Sequence, residues 1–133
     1  MATNKIICDT DVLLDYWNPD NPRHSDTKRV LEQSILLENV TISAITKIEI
    51  LYGAGNKVEL SKIIKTLDGY NTILINNEIT LKAIELIQKY SLSHNLALPD
   101  SIIAASAIIS ELPLFTYNTR DYKFITGIEL YKI

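Results

Sequence analysis

Short apolar runs alternate with stretches of helical periodicity along most of the chain. Residues 5–8 are largely apolar, stop at Asp9 and predict a buried strand. Residues 12–17 are apolar and aromatic, with Thr10 or Asp11 as the helix cap. Asn18-Pro19-Asp20-Asn21-Pro22 is the clearest turn cluster. In residues 25–37, Val30, Leu31 and Ile35 fit one helix. Residues 40–42 predict a second strand. Residues 44–52 predict a helix with Ile45, Ile48, Leu51 and Tyr52 on one face, stopped by Gly53-Ala54-Gly55. A further helix over 58–67 ends before Gly69. A third strand falls at 72–75. Residues 78–90 form an amphipathic helix on which Ile79, Ala83, Leu86, Ile87 and Tyr90 recur at helical spacing. Pro99-Asp100 opens a nearly all-apolar helix to about Ser110, which its composition makes the most buried one. A fourth strand is expected at 114–116 and a candidate fifth at 128–131.

Strands that alternate with helices predict an α/β fold. We expect a parallel central sheet of four to five strands with helices on both faces, in one domain over residues 1–133. With 47% hydrophobic and 22% charged residues, such a chain can bury a core without metal or disulfides. Only four Gly and four Pro argue against disorder and against a many-turned β-sandwich. Cys8 is the one cysteine, which excludes a disulfide framework and a Cys-based zinc site and favours a reducing compartment. The N-terminus shows no signal-peptide pattern. The apolar stretch 102–109 is far shorter than the roughly 20 residues of a bilayer helix. A cytoplasmic location without membrane attachment is the expectation.

The formal charge of −3 excludes a grip on nucleic acid by bulk positive charge. Any such contact needs a local patch or recruited cations. Ligands of open parallel sheets bind beyond the carboxyl ends of the strands. Asp9 follows the first strand there. Glu49 lies in the helix after the second, Asp100 opens the buried helix, and Thr116, Asn118 and Asp121 follow the fourth strand. Four carboxylates with few cationic neighbours do not all stay ionised cheaply. A divalent ion resolves that repulsion, and all-oxygen ligands select Mg²⁺ or Mn²⁺.

Each acid also has a plainer role. Asp9, Thr10 and Asp11 can cap the first helix. Thr46 to Glu49 has capping-box spacing. Asp100 and Asp121 sit where a helix dipole favours acids. His24 and His94 read as surface residues near turns, Cys8 as inert packing, and Lys57, Lys62 and Lys65 as a solvated face. Tyr16, Trp17, Leu51 and Tyr52 are either ordinary core or, if exposed, a partner site.

The order of the set carries a resemblance. ICDTDVLLDY at 7–16, ISAITKIEILYGA at 42–54, LPDSIIAASAI at 98–108 and TYNTRDY at 116–122 together resemble the PIN-domain ribonucleases, specifically the VapC-type toxins of toxin–antitoxin pairs. The resemblance implies a PIN fold and a Mg²⁺- or Mn²⁺-dependent endoribonuclease that hydrolyses RNA with a metal-activated water. It implies metal binding by Asp9, Glu49 and Asp100. The fourth acid position falls in the last segment, assigned to Asp121 with Asn118 as the alternative. Thr10, Asp11, Thr116 and Asn118 are then polar support, and Asp11 departs from the commoner Asn or Ser. The implied partners are RNA, a VapB-like antitoxin and a second copy of the chain, with the first helices forming the dimer and the antitoxin groove. Arg120 and Lys123 offer basic help near the site. Two rival readings use the same acids. Asp9-Thr10-Asp11 resembles the motif of haloacid-dehalogenase-like phosphatases, with Asp9 as nucleophile, but Leu13 is off-pattern and no room remains for a cap domain. A non-enzymatic phospho-receiver needs an Asp after the third strand, where Asn76-Asn77-Glu78 stand.

Overall fold

The side chains of β1 (Ile6–Cys8) alternate between two cores, as the period of a strand requires. Ile6 and Cys8 point to one face and Ile7 to the other. The computed structural model describes residues 4–133; residues 1–3, where the signal-peptide reading begins, lie outside them. β1 is flanked by β2 (Val40–Ser43) and β4 (Leu114–Phe115), and β3 (Asn71–Ile73) adds to β2. The order is β3-β2-β1-β4 and every pairing is parallel. The candidate fifth strand contributes one bridge, Leu114 to Leu130, held by Leu114 N to Glu129 O at 2.8 Å and Tyr131 N to Leu114 O at 2.8 Å.

Helices cover both faces, as the alternation predicts. On one, α5 (Asn77–His94) and α6 (Leu98–Ser110) pack Ile79, Leu86, Tyr90 and Ile103 over Ile7 and Leu114. On the other, α1 (Thr10–Trp17) and α4 (Lys57–Leu67) bring Val12, Leu13 and Leu67 against Ile6, Cys8, Ile42 and Phe115. α3 (Ala44–Tyr52) touches both cores, through Ile45 and Ile50. α6 is the buried helix its composition predicts, with Ser101 and Ile103 through Ala107 inside.

The expected helix over 25–37 divides. α2 (His24–Arg29) passes into a π-helical stretch, Val30–Ile35, and then a 3₁₀ turn, Leu37–Asn39. The wider π winding explains how Val30 and Ile35, five positions apart, both reach one core.

Candidate active site

The carboxyl ends of β1 and β4 are locked together by Asp9 N, which donates to Phe115 O at 2.9 Å. Asp9 is the N-cap of α1, a role the sequence assigns equally to Thr10 or Asp11. Its Oδ1 accepts from Thr10 N at 2.8 Å and its Oδ2 from the Thr116 hydroxyl at 2.8 Å. Only 5% of Asp9 is exposed, and burial pushes its carboxyl up against the pull of these hydrogen bonds. The Thr116 hydroxyl in turn accepts from Asn118 N at 3.0 Å, which orders the loop after β4.

Asp100 lies in the first turn of α6, where Ala97 occupies the cap position without a side-chain bond. Asp100 is therefore not the cap. Its Oδ1 accepts from the Tyr122 hydroxyl at 3.1 Å. Burial raises the Asp100 carboxyl to about 6, the Tyr122 bond opposes this, and the charges of Asp9, Asp121 and Glu49 raise it further. The charges of the three other predicted acids thus all act on Asp100. Tyr122 is itself fully buried, and burial together with Asp9 and Asp100 pushes its phenol well up.

Glu49 stands exposed on α3. Ser43 caps that helix by accepting from Ile45 N at 3.2 Å, so the capping-box role for Glu49 is not realised. The Thr10 hydroxyl donates to Thr46 Oγ1 at 3.0 Å and lies 3.5 Å from Glu49 Oε1. Asp121 closes an exposed 3₁₀ turn, Thr119–Asp121, beside exposed Arg120 and Lys123. Asp11 Oδ2 accepts from Tyr117 N at 3.1 Å, while its Oδ1 is buried without a hydrogen-bond partner. Burial and then the Asp9 charge raise the Asp11 carboxyl to about 7.

The ion pairs among the described residues, Arg23–Asp15, Arg29–Asp26 and Lys82–Glu85, involve none of the four predicted acids. Among the described residues no three Asp, Glu, His or Cys side chains already stand as a cation cage. A hard cation fits the edge nonetheless by donor chemistry. The available ligands are oxygens, the charges of Asp9, Asp121 and Glu49 raise the Asp100 carboxyl, and the buried Asp11 Oδ1 lacks any donor. Mg²⁺ retains several waters and needs only one or two carboxylates, so a closed cage is not required.

The remaining predicted residues fall elsewhere. His24 Nδ1 is 3.3 Å from Asp15 O, and His94 stacks on Phe124 with ring centroids 4.3 Å apart. His94 is exposed as expected, whereas His24 is half-buried. Cys8 is buried in β1, where burial pushes its thiol up. Tyr16, Trp17 and Leu51 are partly buried against the core, while Tyr52 is 89% exposed. Lys57, Lys62 and Lys65 are exposed on α4. A groove of about 460 Å³ runs from Thr10 and Glu49 past Leu14, Trp17, Ile50 and Ile63. Sequence reasoning misses Tyr122, although it adjoins Asp121, because a buried phenol one residue from an acid has no pattern of its own. It also misses Thr46, whose only signal is a polar residue on an otherwise buried helical face.

The PIN domain profile matches residues 6–125. No curated protein matches the chain. Among solved structures, a toxin–antitoxin complex from Klebsiella pneumoniae is 29% identical, with 97% of this chain and 100% of that one covered and a TM-score of 0.75. VapBC2 from Rickettsia felis, bound to a DNA fragment from their promoter, is 21% identical over 95% of this chain and 96% of that one, with a TM-score of 0.73. VapBC-1 from nontypeable Haemophilus influenzae is 22% identical over 96% of each chain, with a TM-score of 0.74. The matching family is neither the haloacid-dehalogenase-like phosphatases nor the phospho-receivers, and the resemblance to PIN-domain proteins drawn from the four sequence segments is borne out. With most of its length matched, and with its acids on the carboxyl edge of a four-stranded parallel sheet, the chain belongs to the PIN domain family.

Proposed function

We propose that this chain is the toxin of a toxin–antitoxin pair and that it acts as a Mg²⁺- or Mn²⁺-dependent endoribonuclease in the cytoplasm. The observation that carries the reading is Asp100. Its carboxyl is raised to about 6 by burial and by three other acids, and no ion pair among the described residues involves it. A divalent ion at that edge would supply a Lewis acid for the scissile phosphodiester and acidify the attacking water.

Asp9 and Asp100 would hold the ion from the end of β1 and the start of α6. Glu49 and Asp121 stand on the exposed side, where they would orient the attacking water and accept its proton. Thr116 fixes Asp9 Oδ2, and the Tyr122 hydroxyl occupies Asp100 Oδ1, so the other Asp100 oxygen would be the one to meet the ion. The Thr10 hydroxyl lies within reach of both Thr46 and Glu49, and its one proton can serve either. Arg120 and Lys123 flank Asp121 and meet the RNA backbone, a local answer to the negative net charge. The groove that begins at Glu49 has apolar walls suited to an antitoxin segment, and an Arg or Lys from that segment would compete with the ion for the acids. Among the described residues no helix is long and apolar enough to cross a membrane.

The test is cleavage of RNA by the purified chain. Mg²⁺ or Mn²⁺ is expected to support it, EDTA to abolish it, and the products to carry 5′-phosphates. Undiminished cleavage in excess chelator, or 2′,3′-cyclic phosphate ends, would overturn the mechanism.

A further inference from the structure

We propose that the exposed imidazole of His94, stacked on Phe124, is a platform for one unpaired base of the RNA substrate. The proposal rests on the reading above that the substrate is RNA, and it names a contact outside the acidic edge. His94 is the last residue of α5, and Ser93 Oγ lies 2.7 Å from its Nδ1 and steadies the ring. The imidazole stands 4.3 Å from the Phe124 ring at an interplanar angle of 16°, close to parallel. Tyr90 meets both rings edge-on, its centroid 5.6 Å from His94 and 5.1 Å from Phe124. Tyr90 is buried, and its hydroxyl accepts from Thr126 N at 3.2 Å, which ties the Phe124 segment to α5. Phe124 is half-buried against the core. Core packing therefore accounts for Tyr90 and Phe124, but it leaves the stack ending on an exposed aromatic ring that a further flat ring would extend.

Two connections tie the stack to the acids. Only Asn95 to Ala97 separate His94 from α6, whose first turn carries Asp100. Phe124 follows two positions after Tyr122, whose hydroxyl bonds Asp100, so the Cα atoms of these two residues are at most about 7 Å apart. A phosphodiester held at Asp100 would thus have a flanking base within reach of His94. Charge selects the occupant. Residues 86–99 and 122–128 contain no acid, although the chain as a whole has a formal charge of −3. They contribute instead exposed Lys89, whose Nζ lies 5.3 Å from the Tyr90 ring centroid, and exposed Lys123, next to Phe124. Rings flanked by cations suit a single strand, in which each base presents a flat face and each phosphate a negative charge. An uncharged protein segment would use the ring and gain nothing from the lysines.

The test titrates the full chain, in EDTA, into a single-stranded oligoribonucleotide that carries the fluorescent base 2-aminopurine at successive positions. Stacking on His94 should quench the fluorescence at one of them, and pairing the oligonucleotide into a duplex should remove the quenching. His94→Ala should weaken binding about tenfold and abolish the quenching. His94→Trp, which keeps a flat ring, should retain both. Lys89→Glu combined with Lys123→Glu should weaken binding and flatten its salt dependence, with quenching still reached at saturation. His94 and both lysines are exposed, so the fold should survive each change, which circular dichroism checks. A wild-type chain that quenches no position overturns the proposal and leaves the stack to a protein partner. Quenching that survives His94→Ala overturns it as well. Chelator-sensitive RNA cleavage without quenching refutes the platform alone, and quenching without cleavage refutes the nuclease reading alone.

Discussion

The Tyr122 hydroxyl donates to Asp100 Oδ1 at 3.1 Å, joining the loop after β4 to the first turn of α6. This bond stabilises the ionised carboxyl and is the one influence holding the Asp100 pKa down against burial and three negative neighbours. Tyr122→Phe removes it and keeps the ring. The expected cost is about 1 kcal/mol of stability. The pKa of Asp100 then rises, and the acid limb of the cleavage profile moves to higher pH. A profile unchanged in position, measured in saturating Mn²⁺, would show that Tyr122 does not act through Asp100.

Stability of the metal-free protein should fall as the solution becomes more alkaline. Asp11 is raised from 3.8 to about 7 and Asp100 from 3.8 to about 6, so the folded state binds protons more tightly than the unfolded state. Groups of this sign contribute stability that is fully present below the unfolded pKa and lost as pH rises through the folded one. Melting in EDTA should therefore drop between about pH 4 and 7, and Mg²⁺ should raise it most at the upper end. A melting temperature that climbs across that window would contradict the crowding of the acids.

Residues whose role is set by chain-local pattern were legible without the fold. The four strands and the α5 and α6 helices follow from period, and a parallel sheet puts successive strand ends on one side, where Asp9 ends β1 and the charges of Asp9, Glu49 and Asp121 act on Asp100. What the sequence leaves open depends on distant contacts. The π-helical stretch at Val30–Ile35 serves a core whose position is not written locally. The cap of α1 is Asp9, not its neighbours, because β4 fixes where the strand stops. Tyr122 meets Asp100 across 22 positions of chain, and Asp11 meets Tyr117 across 106.

Arg23 links the turn after α1 to the site loop. Its Nε donates to buried Asp15 at 2.8 Å, Asn21 Nδ2 adds a second bond at 2.9 Å, and its guanidinium lies 4.3 Å over the Tyr117 ring. Arg23→Ala strips the charged donor from a buried carboxylate and should cost about 2 kcal/mol. Because Tyr117 follows Thr116, the loss of this stack should also loosen the loop that positions Asp9. Urea unfolding measures the first effect, and amide exchange at Tyr117 and Asn118 the second. Wild-type protection at both amides would remove Arg23 from any part in ordering the site.

Asp100→Asn separates a metal-binding acid from a structural one. Asn preserves shape and still accepts from the Tyr122 hydroxyl, so the fold keeps the 3.1 Å contact. The substitution removes one negative charge from an edge where Asp9, Asp121 and Glu49 repel it. Metal-free stability should hold or rise. Activity should fall by two orders of magnitude or more, since a metal ligand is lost where charge develops in the transition state. The melting shift produced by Mg²⁺ should shrink, because only binding to the folded state contributes to it. Asp9→Asn should lower activity and the Mg²⁺ shift in the same way, but unlike Asp100→Asn it should cost metal-free stability where the Thr116 and Thr10 bonds to Asp9 weaken on losing its charge. Near-wild-type cleavage by Asp100→Asn, with an undiminished Mg²⁺ shift, would falsify the assignment of this edge as the catalytic site.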